Sequence, residues 1–190
     1  MLQPIVAIIL CITVYIVSLI AVTNTGRNFY AKQESPKIHD SLHNILPDMY
    51  HLKLYKDLYI LLLVIPLMLY SGDKFEIIKE ILGFFIPITM LRSIRTYSTI
   101  LPKTDERCNS DGHINLFGQC HDHFFSNHTA FVLLVTLIYA DHGLIDMTQL
   151  GIFNFINMFL IIATKSHYTV DVIFAIFVVV SMYQNNIRVF

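Results

Sequence analysis

Charge is scarce in this chain of 190 residues. Only 14% of its residues are Asp, Glu, Lys or Arg, against roughly 25% in an ordinary soluble domain. Thirteen basic residues face fourteen acidic ones, for a formal net charge of -1. The basic excess that would mark a nucleic-acid binder is therefore missing. Low hydrophobicity, the mark of a disordered chain, is missing too. There is no internal repeat, no heptad seam and no low-complexity linker. What is abundant is apolar sequence, 55% of the chain, and it falls in blocks near the ~20 residues that a spanning helix needs. The expected fold is all-α: a polytopic membrane protein, residues 1–190 forming a single domain of six transmembrane helices.

The first block is Leu2 to Val22, with no ionisable residue in it. No basic residue precedes it and no convincing small-residue cleavage site follows, so it reads as a retained anchor rather than a cleaved signal. Leu58 to Tyr70 is intensely apolar but short, and borrows a turn from Leu52 to Asp57, whose charges are placed at the interface. Ile77 to about Leu101 is the third block. Gly83 and Pro87 interrupt it, as bundled membrane helices tolerate. The remaining blocks are about Phe124 to Ala140, Leu144 to Ala163 and Tyr168 to Tyr183.

Six spans put the loops after helices one, three and five on one face. The unusual polar residues lie in or beside those loops. The other face receives only the short connections Ser71 to Glu76 and Asp141 to Asp146. Chemistry is thus expected at one interface, and ionisable groups near membrane depth are its candidates.

His167 and Asp171 are four residues apart, a spacing that sets two side chains on one helix face. The carboxylate can take the proton of one ring nitrogen and leave the other as a nucleophile. The plainer reading is a helix-start histidine with an acidic partner. In Cys120-His121-Asp122-His123-Phe124-Phe125-Ser126-Asn127-His128-Thr129, Ser126 fits a helix N-cap. That places His128 in the first turn, where amides favour a phosphate and an imidazole can protonate a leaving oxygen. Arg92 and Arg95, three apart, suit bidentate phosphate binding or snorkelling to headgroups. Together a clamp, an acid and a nucleophile suit phosphoryl chemistry on a lipid, with no metal or other cofactor required.

Ser126-Asn127-His128-Thr129 followed by His167-Tyr168-Thr169-Val170-Asp171 resembles the paired motifs of the sphingomyelin synthase family, a branch of the type-2 phosphatidic acid phosphatase superfamily. Arg92, Ile94, Tyr97, Thr99, Leu101 and Pro102 are similar to the family's segment at the end of helix three. Cys120, Asp122 and Ser126 match at the right spacing, and Leu46-Pro47-Asp48 resembles a short element of the first loop. The resemblance spans roughly residues 40 to 180, with a catalytic core about 85–185. It departs at Asn127 and His121, where the family has glycine. Asn tolerates the left-handed region best among replacements, while its bulk would narrow the pocket.

The resemblance implies a phosphotransferase with catalytic His128, His167 and Asp171 and substrate-binding Arg92, Tyr97 and Asp122. His167 attacks the phosphorus of a glycerophospholipid, Asp171 orients it, and His128 protonates the departing diacylglycerol. The headgroup, phosphocholine in the first expectation, then passes to ceramide. The implied partners are the phospholipid donor, the ceramide acceptor and the membrane, with room for a homo-oligomer and none for nucleic acid. Water in place of ceramide would make a lipid phosphatase or a phospholipase C, and no single residue decides between them. A metal-binding membrane protein is the reading from a different class, since Cys108, His113, Cys120, His121 and His123 crowd one loop. An oxidising lumen would instead pair Cys108 with Cys120. A scaffold without activity is the third reading, and the intact triad argues against it.

Orientation divides the signals. Arg27, Lys32, Lys37 and Lys53 lie on the catalytic side, against Lys74, Lys79 and Arg188 opposite. The positive-inside rule would turn the site to the cytosol. The family implies a lumenal or extracellular site in an endomembrane (Golgi or endoplasmic reticulum) or the plasma membrane, and that is the expectation taken.

Overall fold

A computed structural model describes residues 2–30, 38–99, 101, 102, 104–107 and 124–190. Among the described residues the chain is all-helical. The α-helices are α1 (Leu2–Tyr30), α2 (Ser41–Ile45), α3 (Lys53–Tyr59), α4 (Val64–Leu69), α5 (Lys74–Ser98), α6 (Asn127–Asp141), α7 (Met147–Ala163) and α8 (Thr169–Gln184). All six apolar blocks are thus helical. The second is not one α-helix, because a 3-10 turn at Ile60–Leu63 separates α3 from α4.

Among the described residues no helix is long and apolar enough to cross a membrane. Helices α6, α7 and α8 have 15, 17 and 16 residues, short of the ~20 of a full span. α5 reaches 25 residues but carries Lys74, Glu76, Lys79, Glu80, Arg92 and Arg95.

α6 is the centre. Its sequence is apolar nearly all round, and such a helix belongs inside a bundle. Val132, Leu134, Val135 and Ile138 are buried against Phe84 and Ile88 of α5 and Ala175, Val178 and Val179 of α8. α7 flanks α6, and α1 packs on α5. Two phenols fix the second block: Tyr59 donates to the Phe153 carbonyl at 3.1 Å and Tyr139 to the Leu63 carbonyl at 2.8 Å.

The helix stops are chemically explicit. α6, α7 and α8 all end in the paired-bond cap with a left-handed residue just past the helix. Those residues are Gly143 (φ 69), Lys165 (φ 51) and Asn186 (φ 52). In α7, for example, Ser166 donates to the Ile161 carbonyl and Lys165 to that of Ile162. Gly and Asn accept this conformation readily; Lys does not. At the end of the bundle reached by the α6–α7 turn, Glu80 pairs with His142 (2.9 Å) and Arg188 (3.4 Å). There too the Tyr183 hydroxyl donates to Asp141. The Val189 amide donates to the Gly83 carbonyl at 3.0 Å. A Cβ on Gly83 would meet the Phe190 carbonyl oxygen at 2.9 Å, so this close approach requires glycine.

Candidate active site

The opposite end gathers residues from α2, α3, α5, α6 and the start of α8. Ser126 caps α6 as the motif predicts: its Oγ accepts the Thr129 amide at 3.3 Å and the Thr129 hydroxyl at 3.0 Å. His128 therefore sits in the first turn, 4% exposed. The Ser126 amide donates to the Asp171 carbonyl at 3.4 Å. This one backbone bond sets the two motifs side by side.

His167 and Asp171 meet as expected, Nδ1 lying 3.4 Å from Oδ2. The reason differs from helical spacing. α8 begins at Thr169 with Tyr168 as its cap, so His167 precedes the helix. Asp171 lies in the first turn, buried, and the same Oδ2 accepts the Tyr168 amide at 2.9 Å. The chain curls over its own helix start, and the nucleophile candidate is held against the carboxylate that caps it. Burial first, and then the positive fields of Lys56, His128, Arg92 and Lys53, hold the pKa of His167 well below its ordinary value. Both effects favour the uncharged ring, whose Nδ1 is turned to Asp171.

His128 has a carboxylate of its own. Its Nε2 lies 2.8 Å from Asp57 Oδ1, and the same oxygen is 2.8 Å from Lys56 Nζ. A carboxylate only accepts, so Nε2 carries the hydrogen and Nδ1 faces elsewhere. Lys56 is buried, 5% exposed, and Asp57 is partly open. Neither was singled out from the sequence. The signal was the tight charge cluster Lys53, Lys56 and Asp57 just before an unusually short apolar block, which an interfacial reading absorbed.

The first loop supplies a second support that the motifs do not contain. Asp40 caps α2 by accepting the Leu42 and His43 amides, at 3.0 and 3.3 Å. It also caps α8, taking the Thr169 amide at 2.6 Å and its hydroxyl at 2.7 Å. Burial opposes its charge, but the Thr169 bonds and His43 hold its pKa below the usual carboxylate range. His43 Nε2 donates to the His167 carbonyl at 3.0 Å, and its ring stacks on Tyr168. Farther out, Asp48 of the Leu-Pro-Asp element accepts from Arg107 at 2.7 Å and lies 3.5 Å from Lys165.

The two arginines, expected on one face, have different partners. Arg92 is 2% exposed with its guanidinium 5.1 Å from the Tyr15 ring centroid. Arg95 stacks between Phe124 and Phe174, at 4.0 and 3.8 Å. Arg92 is the member whose charge acts on His167. Tyr97 lies in the last turn of α5, and its side chain falls outside the described residues. Asp122, with Cys108, His113, Cys120, His121 and His123 of the alternative metal loop, also lies outside them. Among the described residues no group of three or more His, Cys, Asp or Glu could hold a metal ion.

Residues 119–187 match the family described as PAP2 superfamily C-terminal. That segment contains both histidine motifs, so the resemblance read from them is borne out. The chain is also 29% identical over 147 residues to phosphatidylinositol:ceramide inositolphosphotransferases of Oryza sativa subsp. indica and subsp. japonica. The match covers 64% of this chain and 43% of each rice protein. The chain thus spans less than half the length of these curated relatives.

Proposed function

We propose that this chain is a membrane-embedded lipid phosphotransferase that moves a phospho-headgroup from a glycerophospholipid to ceramide through a phosphohistidine on His167. The observation that carries the reading is the pair of imidazole–carboxylate couples, His167–Asp171 and His128–Asp57, joined by the Ser126–Asp171 backbone bond. Two imidazoles in different environments suit opposite protonation states, one nucleophilic and one acidic.

In the first step Nε2 of His167 attacks phosphorus and the bond from phosphorus to the diacylglycerol oxygen breaks. His128, with Nε2 on Asp57, gives that oxygen a proton from Nδ1, and Asp57 stabilises the imidazolium before transfer. In the second step the ceramide hydroxyl returns its proton to His128. Its oxygen attacks phosphorus and the P–N bond breaks. Arg92 and the α6 N-terminus favour the anionic headgroup throughout.

Phosphoinositol is the favoured headgroup. The rice relatives carry it in their names, and the charges supplied by this chain agree. Choline would bring a quaternary ammonium beside Lys53, Lys56 and Arg92, whereas inositol is an uncharged polyol whose phosphodiester bears the only charge.

The membrane part of the proposal rests on apolar surface. Ile5, Val6, Ile9, Leu61, Met68, Leu69, Phe155, Ile173 and Phe177 are all exposed, a belt over several helices that water would not favour. The chain is proposed to lie in the bilayer as six helices, with the site at the lumenal or extracellular interface by family resemblance.

The test supplies purified protein with headgroup-labelled phosphatidylinositol, phosphatidylcholine or phosphatidylethanolamine in mixed micelles while ceramide is titrated. Labelled inositol phosphoceramide should form in proportion to ceramide, with minor release of free phosphoinositol when ceramide is absent. Free phospho-headgroup as the sole product at saturating ceramide would make the protein a hydrolase.

A further inference from the structure

We propose that Lys56 is a phosphate-binding residue, so that the phosphate receptor of this site is completed from α3 as well as from α5. The inference deepens the functional reading above and rests on it for the identity of the phosphate. Among basic side chains, the sequence points only to Arg92 and Arg95 near the end of helix three for this role.

Lys56 is an anomaly if it is merely structural. It is 5% exposed on a helix whose neighbours Leu54, Tyr55 and Leu58 are open, and a buried ammonium is costly unless it is well compensated. Its partner is the adjacent Asp57, and the compensation is shared. Asp57 Oδ1 lies 2.8 Å from Lys56 Nζ and 2.8 Å from His128 Nε2. One carboxylate oxygen thus serves two donors, and an ammonium with three hydrogens has donors left over. The geometry is equally specific. Both nitrogens touch one oxygen, so they are no farther apart than twice 2.8 Å. The ammonium is thus a close neighbour of the acid's ring on its Nε2 edge, while Nδ1 on the other edge is left to meet the leaving oxygen. After burial itself, the Lys56 charge heads those that act on His167, so its field reaches the attacking imidazole as well as the acid.

The phosphodiester brings one negative charge, which the ammonium can take up without releasing Asp57. As the reaction proceeds, charge builds on the non-bridging oxygens, and a fixed ammonium in a dry site gains most at that point. Arg95, stacked between two rings, has other duties. Lys56 with Arg92 then forms the cationic pair that the arginine spacing suggested.

The rival account is that Lys56 only holds Asp57 for His128. A double-mutant cycle separates the two. Inorganic phosphate is titrated by calorimetry into the detergent-solubilised full chain, into Lys56→Met, into Asp57→Asn and into the double variant. Phosphate affinity should fall at least tenfold on Lys56→Met in both backgrounds, while Asp57→Asn alone should not weaken it. The inference is overturned if wild-type protein binds no phosphate, if Lys56→Met leaves the affinity unchanged, or if its effect disappears in the Asp57→Asn background. Should Lys56→Met fail to fold, Lys56→Gln, which keeps a donor for Asp57, takes its place with the same expected loss. Ceramide-dependent transfer is assayed separately on wild-type protein. Its absence would remove the functional reading while leaving the phosphate result standing.

Discussion

Two imidazoles, each with a carboxylate on one nitrogen, divide the proposed work by environment rather than by residue type. Burial and surrounding positive charge hold the pKa of His167 well below its ordinary value. His128 shares a carboxylate oxygen with a lysine. The consequences of losing each carboxylate should therefore differ. His167→Ala should reduce headgroup transfer to background with the helical circular dichroism unchanged, since the bond-forming atom is gone. Asp171→Asn should leave residual turnover, because the nucleophile remains but is poorly aimed. Asp57→Asn should lower kcat on the order of 10²-fold, the scale of general acid catalysis. Retention of near-wild-type transfer by His167→Ala would end the covalent mechanism.

At the scale of elements, the helices were legible because long apolar runs between polar loops leave few alternatives. The α6 start was legible because Ser126 is a good N-cap residue, and the His167–Asp171 couple because its members are close in sequence. Asp57 was not, since its partner His128 is 71 residues away and no local pattern marks such a pair. Asp40 and His43 were invisible for the same reason, reaching Thr169 and His167 across 129 and 124 residues. The division of the second block by a 3-10 turn has no Gly or Pro signal within Ile60–Leu63. The ends of α6 and α8 carry Gly143 and Asn186 at the left-handed position, but α7 ends on Lys165. A non-glycine residue there costs roughly 1 kcal/mol, whereas the 3.5 Å approach of its ammonium to the exposed Asp48 contributes roughly 0–1 kcal/mol. The backbone effect should win. Lys165→Gly is expected to raise the Tm slightly while leaving transfer unchanged, as measured by thermal scans and by the ceramide assay.

At the scale of the whole molecule, acidic side chains pin three loops into one platform. Asp48 accepts the Tyr50 amide at 3.0 Å and pairs with Arg107. Asp105 pairs with the same guanidinium at 2.6 Å. The Tyr50 amide first, and then Arg107 and Lys165, hold the Asp48 pKa below the usual range against slight burial. Asp105 is held to about 2, chiefly by its hydrogen bonds from Arg107. Folded pKa values below the unfolded value of ~3.9 stabilise the platform above that pH, and the contribution disappears as pH falls toward 2. The Met49 amide, which donates to the Ala163 carbonyl at 2.9 Å, reports on it. Its hydrogen-exchange protection factor should be steady from pH 7 to about 4.5 and decline below 4. Protection that holds through pH 2.5 would show that these carboxylates do not secure the loop. The double cap at Asp40 has a different kind of consequence. The residue that fastens the start of α8 is synthesised 129 positions before the residue it fastens. A nascent chain arrested before Thr169 thus carries Asp40, His128 and Asp57 but no His167 held in place. The proposed site is therefore completed only once the start of α8 has been made and docked on Asp40.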